Sequence, residues 1–231
     1  MHTYPGKRQK QYQDKHPNAE VESYIENEVI PKYARFDAAH REDHARMVIE
    51  QSMSIAEALN RRDEAPIPVN MDMVYVIAAM HDLGLEFDRK THHLESGRIM
   101  RQDLHLRTYF TEDEIEVMAQ AVEDHRASST REPRSIYGKI VSEADRFIVP
   151  ATIIERTVQY GLAHYPDIDR ESHWLRTLSH LHEKYAEGGY LRLWFPESPN
   201  AARLEALRAI IRDEPRLKKI FDATYDKLTH E

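Results

Sequence analysis

At 231 residues the chain is long enough to bury one sizeable core, and its lack of cysteine excludes disulfides, thiolate metal ligands and a cysteine nucleophile together. A formal net charge of −8 gives no long-range attraction to nucleic acid, which disfavours duplex binding. The longest apolar stretch, near Val74–Met80, falls far short of the ~20 residues a membrane helix needs, and the amino terminus has no apolar signal core, so no membrane partner and a cytoplasmic location are expected.

Seven glycines are few for this length, and Ala, Leu, Glu, Arg and Lys recur between short polar connections, which points to an all-α fold. Residues 1–19 are polar and basic and read as a disordered tail. Val21, Tyr24, Ile25, Val29 and Ile30 then recur at helical spacing up to Phe36, with Pro31 kinking or restarting the helix. A second helix is expected at 40–61. Asn70 can cap a third, nearly all apolar from Met71 to Met80 and so destined for the core, which Gly84 is expected to end.

Further helices are expected at 92–106, at 112–126 behind a Thr111/Glu114 capping box, and at 136–158 after a polar loop over 127–135. The remainder is amphipathic, with helices near 169–186, 200–211 and 215–229, punctuated by Gly188, Gly189, Pro196 and Pro199.

Chemistry concentrates on inward positions. His81 continues the stripe of Val74, Ile77 and Ala78, and Asp82 follows it, so two ionisable groups end a buried helix. Burying a carboxylate without a partner costs several kcal/mol, so Asp82 requires a metal, a cation or several hydrogen bonds. Three other helices repeat the pattern. His44 shares a face with Met47, Val48, Ile55 and Leu59, His125 follows Ile115, Met118 and Val122, and Asp145 lies one turn after Val141. Nitrogen and oxygen ligands from four helices converging on one interior are expensive to bury unless a cation sits between them.

In order and flanking text these residues resemble the HD superfamily of metal-dependent phosphohydrolases: Asp37-Ala-Ala-His40 before His44-Ala-Arg-Met-Val, then Ala78-Ala-Met-His81-Asp82-Leu-Gly84, then Glu143-Ala-Asp145-Arg146. The resemblance spans about residues 22–150. It implies a helical bundle whose His44, His81, Asp82 and Asp145 hold a metal, with an HD domain at 20–160 and a helical extension at 161–231 packed on the same core. Branches with two additional histidines hold a second metal, bridged by the aspartate of the pair. Here His125 supplies one and His92 or His93 the other; the spacing to Ser96-Gly97 favours His92 and leaves His93 as a substrate contact.

The resemblance thus implies one or two divalent ions, drawn from Fe, Mn, Mg, Ni, Co or Zn, and a small phosphate-containing, nucleotide-like substrate, a phosphomonoester or phosphoanhydride, attacked by activated water. It is also compatible with a homo-oligomer. Asp82, His40 and Glu86 are the candidate catalytic groups, with Asp88 in support. Arg126, Lys139 and Arg146 are candidate phosphate contacts, drawn from a basic stretch that also holds Arg131 and Arg134. Trp174, Tyr190 and Trp194 are candidates for a base-stacking wall, whereas His164, His173, His180, His182 and His230 read as structural. A mixed-valence diiron oxygenase uses the same six ligands in the same order and is the alternative enzyme. A non-catalytic nucleotide-binding module is the third reading.

Overall fold

The structure, a computed structural model, describes residues 17–37, 40–61, 67–126, 131–196 and 198–230, and all regular elements among them are helical. Of the expected tail, residues 1–16 lie outside the described residues. Helix α1 (Ala19–Tyr24) starts at Asn18, whose side chain accepts the Glu20 N–H at 2.8 Å. The backbone then widens into a π-helical turn, Ile25–Val29, before tightening into a 3-10 turn, Ile30–Arg35. Pro31 lies in the first turn of that 3-10 segment, where its missing N–H leaves no helical bond unmade, so the chain restarts rather than breaks.

Helix α2 (Glu42–Asn60) precedes α3 (Met71–Met80), whose Asn70 cap accepts from Asp72 N at 3.0 Å. All of α3 but Asp72 is buried, and the helix packs on α2, α5 (Glu112–Glu123) and α6 (Ile136–Ala144). Val74, Ile77 and Met80 each contribute roughly 1.5–3 kcal/mol by burial. A buried helix with no free face leaves its C-terminal end as the one place to present polar groups, and His81 and Asp82 occupy it.

Gly84 does not end α3 by a left-handed turn; it sits in a 3-10 turn, Leu83–Glu86, and the positive φ among the glycines belongs to Gly188. Its role is close approach to α4 (His92–Gln102). A methyl group on Gly84 would collide with the His92 carbonyl and sit 2.7 Å from Ser96 N, while the Gly84 N–H donates to Ser96 Oγ at 2.8 Å. Gly97 brings α4 equally close to α5, since a Cβ there would meet Glu123 Cγ at 2.8 Å. Helix α4 stops at Gln102, short of the expected 106, and a 3-10 turn, Leu106–Thr108, follows. The Thr111/Glu114 capping box forms at the start of α5, which ends at Glu123 and leaves His125 just beyond the helix.

The helix expected over 136–158 is two helices. Helix α6 ends at Ala144, four residues run without helical bonds, and Pro150 opens α7 (Pro150–His164) at a first-turn position. The chain divides after Asp145 into two compact units, earlier than the boundary expected near 160. The later unit comprises α7, α8 (Arg170–Tyr185), α9 (Pro199–Arg212) and α10 (Glu214–His230). Its Ile153, Ile154, Val158, Trp174, Leu207 and Phe221 form an apolar cluster that explains why α7 sorts with this unit.

Gly84→Ala should lower stability by about 1–3 kcal/mol, because the added methyl must push α4 off the turn that carries Asp82. Urea unfolding measures this, and an unchanged midpoint would contradict the packing described.

Candidate metal centre

Six side chains from the first unit converge. The last-turn carbonyls of a helix have no intrahelical partner, and two histidines use them. His81 donates its Nδ1–H to the Ala78 carbonyl at 2.8 Å, and His125 donates to Val122 at 2.6 Å. His92, at the start of α4, donates to the Arg89 carbonyl at 2.8 Å. In the neutral ring each bond places the proton on Nδ1 and leaves the Nε2 lone pair directed at the centre, the arrangement a metal-ligating imidazole requires; without a metal, a second proton on Nε2 lets the ring donate to a carboxylate there.

The Nε2 atoms pair off. His44 and His81 lie 3.3 Å apart, and His92 and His125 lie 3.2 Å apart. Asp82 stands between the pairs. Its Oδ2 is 3.3 Å from His81 Nε2 and 3.6 Å from His44 Nε2, while Oδ1 is 3.4 Å from His92 Nε2 and 3.6 Å from His125 Nε2. Asp145 Oδ1 closes the first group, 3.2 Å from His44 and 3.9 Å from His81. Two sets result, His44/His81/Asp145 and Asp82/His92/His125, each with ligand atoms within 4.8 Å of one another.

A metal about 2.1 Å from two ligands holds them about 3.0 Å apart at octahedral angles and about 3.4 Å at tetrahedral ones. The shorter separations, 3.2–3.4 Å, match such polyhedron edges, and those of 3.6 and 3.9 Å lie slightly beyond them. Two lone pairs meeting at 3.2–3.3 Å repel unless a proton or a cation lies between them, so the donor set itself fits a divalent metal at each group.

Electrostatics agree. Asp82 is 3 % exposed and His81 fully buried. Burial opposes ionisation of Asp82, yet the adjacent His81 and hydrogen bonds from His125, His44 and His81 outweigh it and hold the carboxyl below its ordinary range. Asp145 is held low in the same way, burial being outweighed by His44 and by the charges of His81 and His125. For His44, burial disfavours the charge, but hydrogen bonds to Asp145 and Asp82 prevail and raise it to about 9. His92 is lowered by burial and by His125. His93 is lowered to about 4 by burial, His125, His92 and Arg126.

The backbone under the pair is held by a residue the sequence reading did not single out. Tyr33, wholly buried, donates to the Ala79 carbonyl at 2.9 Å and accepts the Asp82 N–H at 3.4 Å. Its spacing from Ile25 and Val29 could have marked it as core, but nothing in the sequence signals this hydroxyl contact.

A cleft of about 510 Å³ opens onto the cluster, lined by His40, Asp82, His92, His125, Arg126 and Asp145 together with Leu85, Asp88, Arg89 and Lys90. The structure therefore brings His40, Asp88 and Arg126 to the ligands. His40 is tied by Nδ1 to Asp37 Oδ1 at 2.8 Å, and Asp37 Oδ2 accepts from Arg89 at 3.2 Å. Asp37 stands in the quoted Asp37-Ala-Ala-His40 text, so its spacing to His40 was the available signal. Arg89 and Lys90 were overlooked in the polar loop before His92.

Other candidates lie elsewhere. Glu86 is exposed, pairs with Arg35 at 3.3 Å and lines a separate depression with Phe36 and Asp37. Lys139 pairs with Glu132 at 2.6 Å. His93 stacks edge to face with His92, outside both ligand sets, and its buried Nδ1 has no hydrogen-bond partner among the described residues. Arg146 belongs to the second unit, where it donates to the Arg192 carbonyl. Trp174 also belongs there, buried against Phe221 at 5.5 Å between centroids, while Tyr190 is exposed.

Residues 41–149 match the family model of the HD domain, a stretch that contains all six clustered ligands. No curated protein and no solved structure matches the chain.

Because the His44 imidazole is raised to about 9, it carries a proton at pH 7.5, and a metal accepts only the neutral ring. Metal uptake at pH 7.5 should therefore release at least about one proton per chain, and apparent affinity should climb with pH until about 9. Calorimetric titrations in two buffers of different ionisation enthalpy read the proton count. A flat affinity between pH 7 and 9 with no proton released would contradict it.

Proposed function

Starting from an HD domain at residues 41–149, the domain of a superfamily of metal-dependent phosphohydrolases, we propose that this protein hydrolyses a phosphomonoester or phosphoanhydride of nucleotide type with water as nucleophile. The observation that carries this reading is the Asp82 carboxylate, one oxygen facing His44 and His81 and the other facing His92 and His125. In this reading His44, His81 and Asp145 hold one divalent ion, His92 and His125 a second, and Asp82 serves both. Metals bound there supply water activation and neutralisation of phosphate charge, so no protein nucleophile is required.

The chain's own groups do the rest. Arg126 lines the same cleft and can donate to non-bridging phosphate oxygens. His40 is oriented as a catalytic triad histidine is: the Asp37 carboxylate fixes the Nδ1 proton and steadies the imidazolium, and only in that doubly protonated form can Nε2 deliver a proton to the leaving oxygen, the ring returning to neutral. The ion pair from Arg89 steadies Asp37. The fold of the ligand helices is rigid because α3 is buried, so the two imidazole pairs hold their spacing as substrate enters.

Phosphate release from a panel of nucleotides, run under argon, tests the assignment against an oxygen-dependent reaction. Release should persist without oxygen and vanish with a chelator. Asp82→Ala should cost at least about 10³-fold in kcat, and His125→Ala less, about 10–100-fold, because Asp82 serves both ligand sets and His125 one. Oxygen-dependent turnover without phosphate release, or equal residual activity in both variants at matched metal content, would defeat the proposal.

A further inference from the structure

The cleft differs at its two ends. Beside His44 stands His40, ring centroids 5.7 Å apart and edge to face. Beside His92 and His125 stand Lys90 and Arg126, both lining the cleft. The peptide that carries Lys90 is held at both its groups: its N–H donates to Asp88 Oδ1 at 3.1 Å, and its carbonyl accepts from Arg126 Nη1 at 2.7 Å. The preceding carbonyl, of Arg89, holds the His92 ring. The Lys90 side chain thus leaves from backbone tied to a ligand histidine on one side and to Arg126 on the other.

The acids near these cations are committed. Asp88 accepts from Lys90 N and from Thr91 Oγ1 at 3.2 Å, and Asp37 takes Arg89 and His40. No carboxylate among the described residues forms an ion pair with Lys90 or Arg126. Two cations without acid partners on one cleft, with Arg126 anchored to the Lys90 carbonyl, favour a ligand that brings negative charge beyond one phosphate. A neutral leaving group would leave them facing solvent at the edge of a site otherwise packed with paired charge.

We propose that the Lys90–Arg126 end of the cleft is a second anion subsite, so that the substrate carries another anionic group, a phosphate or a carboxylate, beyond the phosphate under attack. This rests on the phosphohydrolase reading for the position of the attacked group. It favours diphosphate-like compounds over simple monoesters.

Calorimetric binding to the metal-loaded protein tests this without turnover, using methylphosphonate as a single anion, methylenediphosphonate as a double phosphonate and phosphonoacetate as a phosphonate with a carboxylate. Methylenediphosphonate should bind at least about tenfold more tightly than methylphosphonate. Lys90→Gln should shrink that ratio about three- to tenfold while leaving methylphosphonate affinity within about twofold, and Arg126→Gln should shrink it as well while also weakening methylphosphonate. Matching thermal melts would show the variants folded. Phosphonoacetate binding like the diphosphonate supports a subsite for anions in general, and binding like methylphosphonate supports one for phosphate.

Equal affinities for the single and double anions, or variants that leave the ratio unchanged because the metals alone account for it, would overturn the subsite. If the ratio behaves as stated but no phosphate is ever released, the hydrolase reading fails and the anion subsite stands. If phosphate is released but the ratio is flat, the reverse holds.

Discussion

Asp82 is a carboxylate almost without contact with water, ringed by four imidazole nitrogens at 3.3–3.6 Å. Stripping a carboxylate of water costs several kcal/mol, and neutral imidazoles whose lone pairs face it repay none of that. Only positive charge at the same place can, whether as protons shared among the histidines or as metal ions. Most other features of the first unit serve to hold these groups at separations they would not otherwise tolerate.

The means are ordinary backbone ones. A wholly buried α3 offers its C-terminal end as the place for His81 and Asp82, and Tyr33 fixes that end from below. Helix termini leave carbonyls short of their i+4 partners, and the imidazoles of His81 and His125 donate to two of these, which orients both rings through backbone rather than through acids. Gly84 and Gly97 admit α4 close enough for His92 to reach Asp82 Oδ1. The ligand geometry is therefore set mainly by helix ends and two glycines, with the Arg89 carbonyl before α4 orienting His92.

Much of this was legible in the sequence because helix period and burial are local signals. The inward positions of His44, His81, His125 and Asp145 followed from their apolar neighbours three and four residues away, and the resemblance to the HD superfamily supplied their grouping. What was missed depends on long-range placement or on proline. Pro150 was read through as helix interior although its ring has to begin a new helix, so two helices stand where one was expected over 136–158. Gly84 was read as a turn residue, whereas its reason is an approach by a helix further along the chain. Glu86, Lys139 and Arg146 were chosen by charge and nearness in sequence, and each has found a partner of its own, whereas Arg89 and Lys90 lie in the cleft because a 3-10 turn after Asp82 swings the chain back toward His92.

The central claim is that one aspartate joins two metal positions. Crystals grown with manganese and measured by anomalous scattering address it directly. Two anomalous peaks per chain are expected, one bounded by His44, His81 and Asp145 and the other by His92 and His125, with Asp82 touching both. A single peak, or a second one away from His92 and His125, would contradict the account.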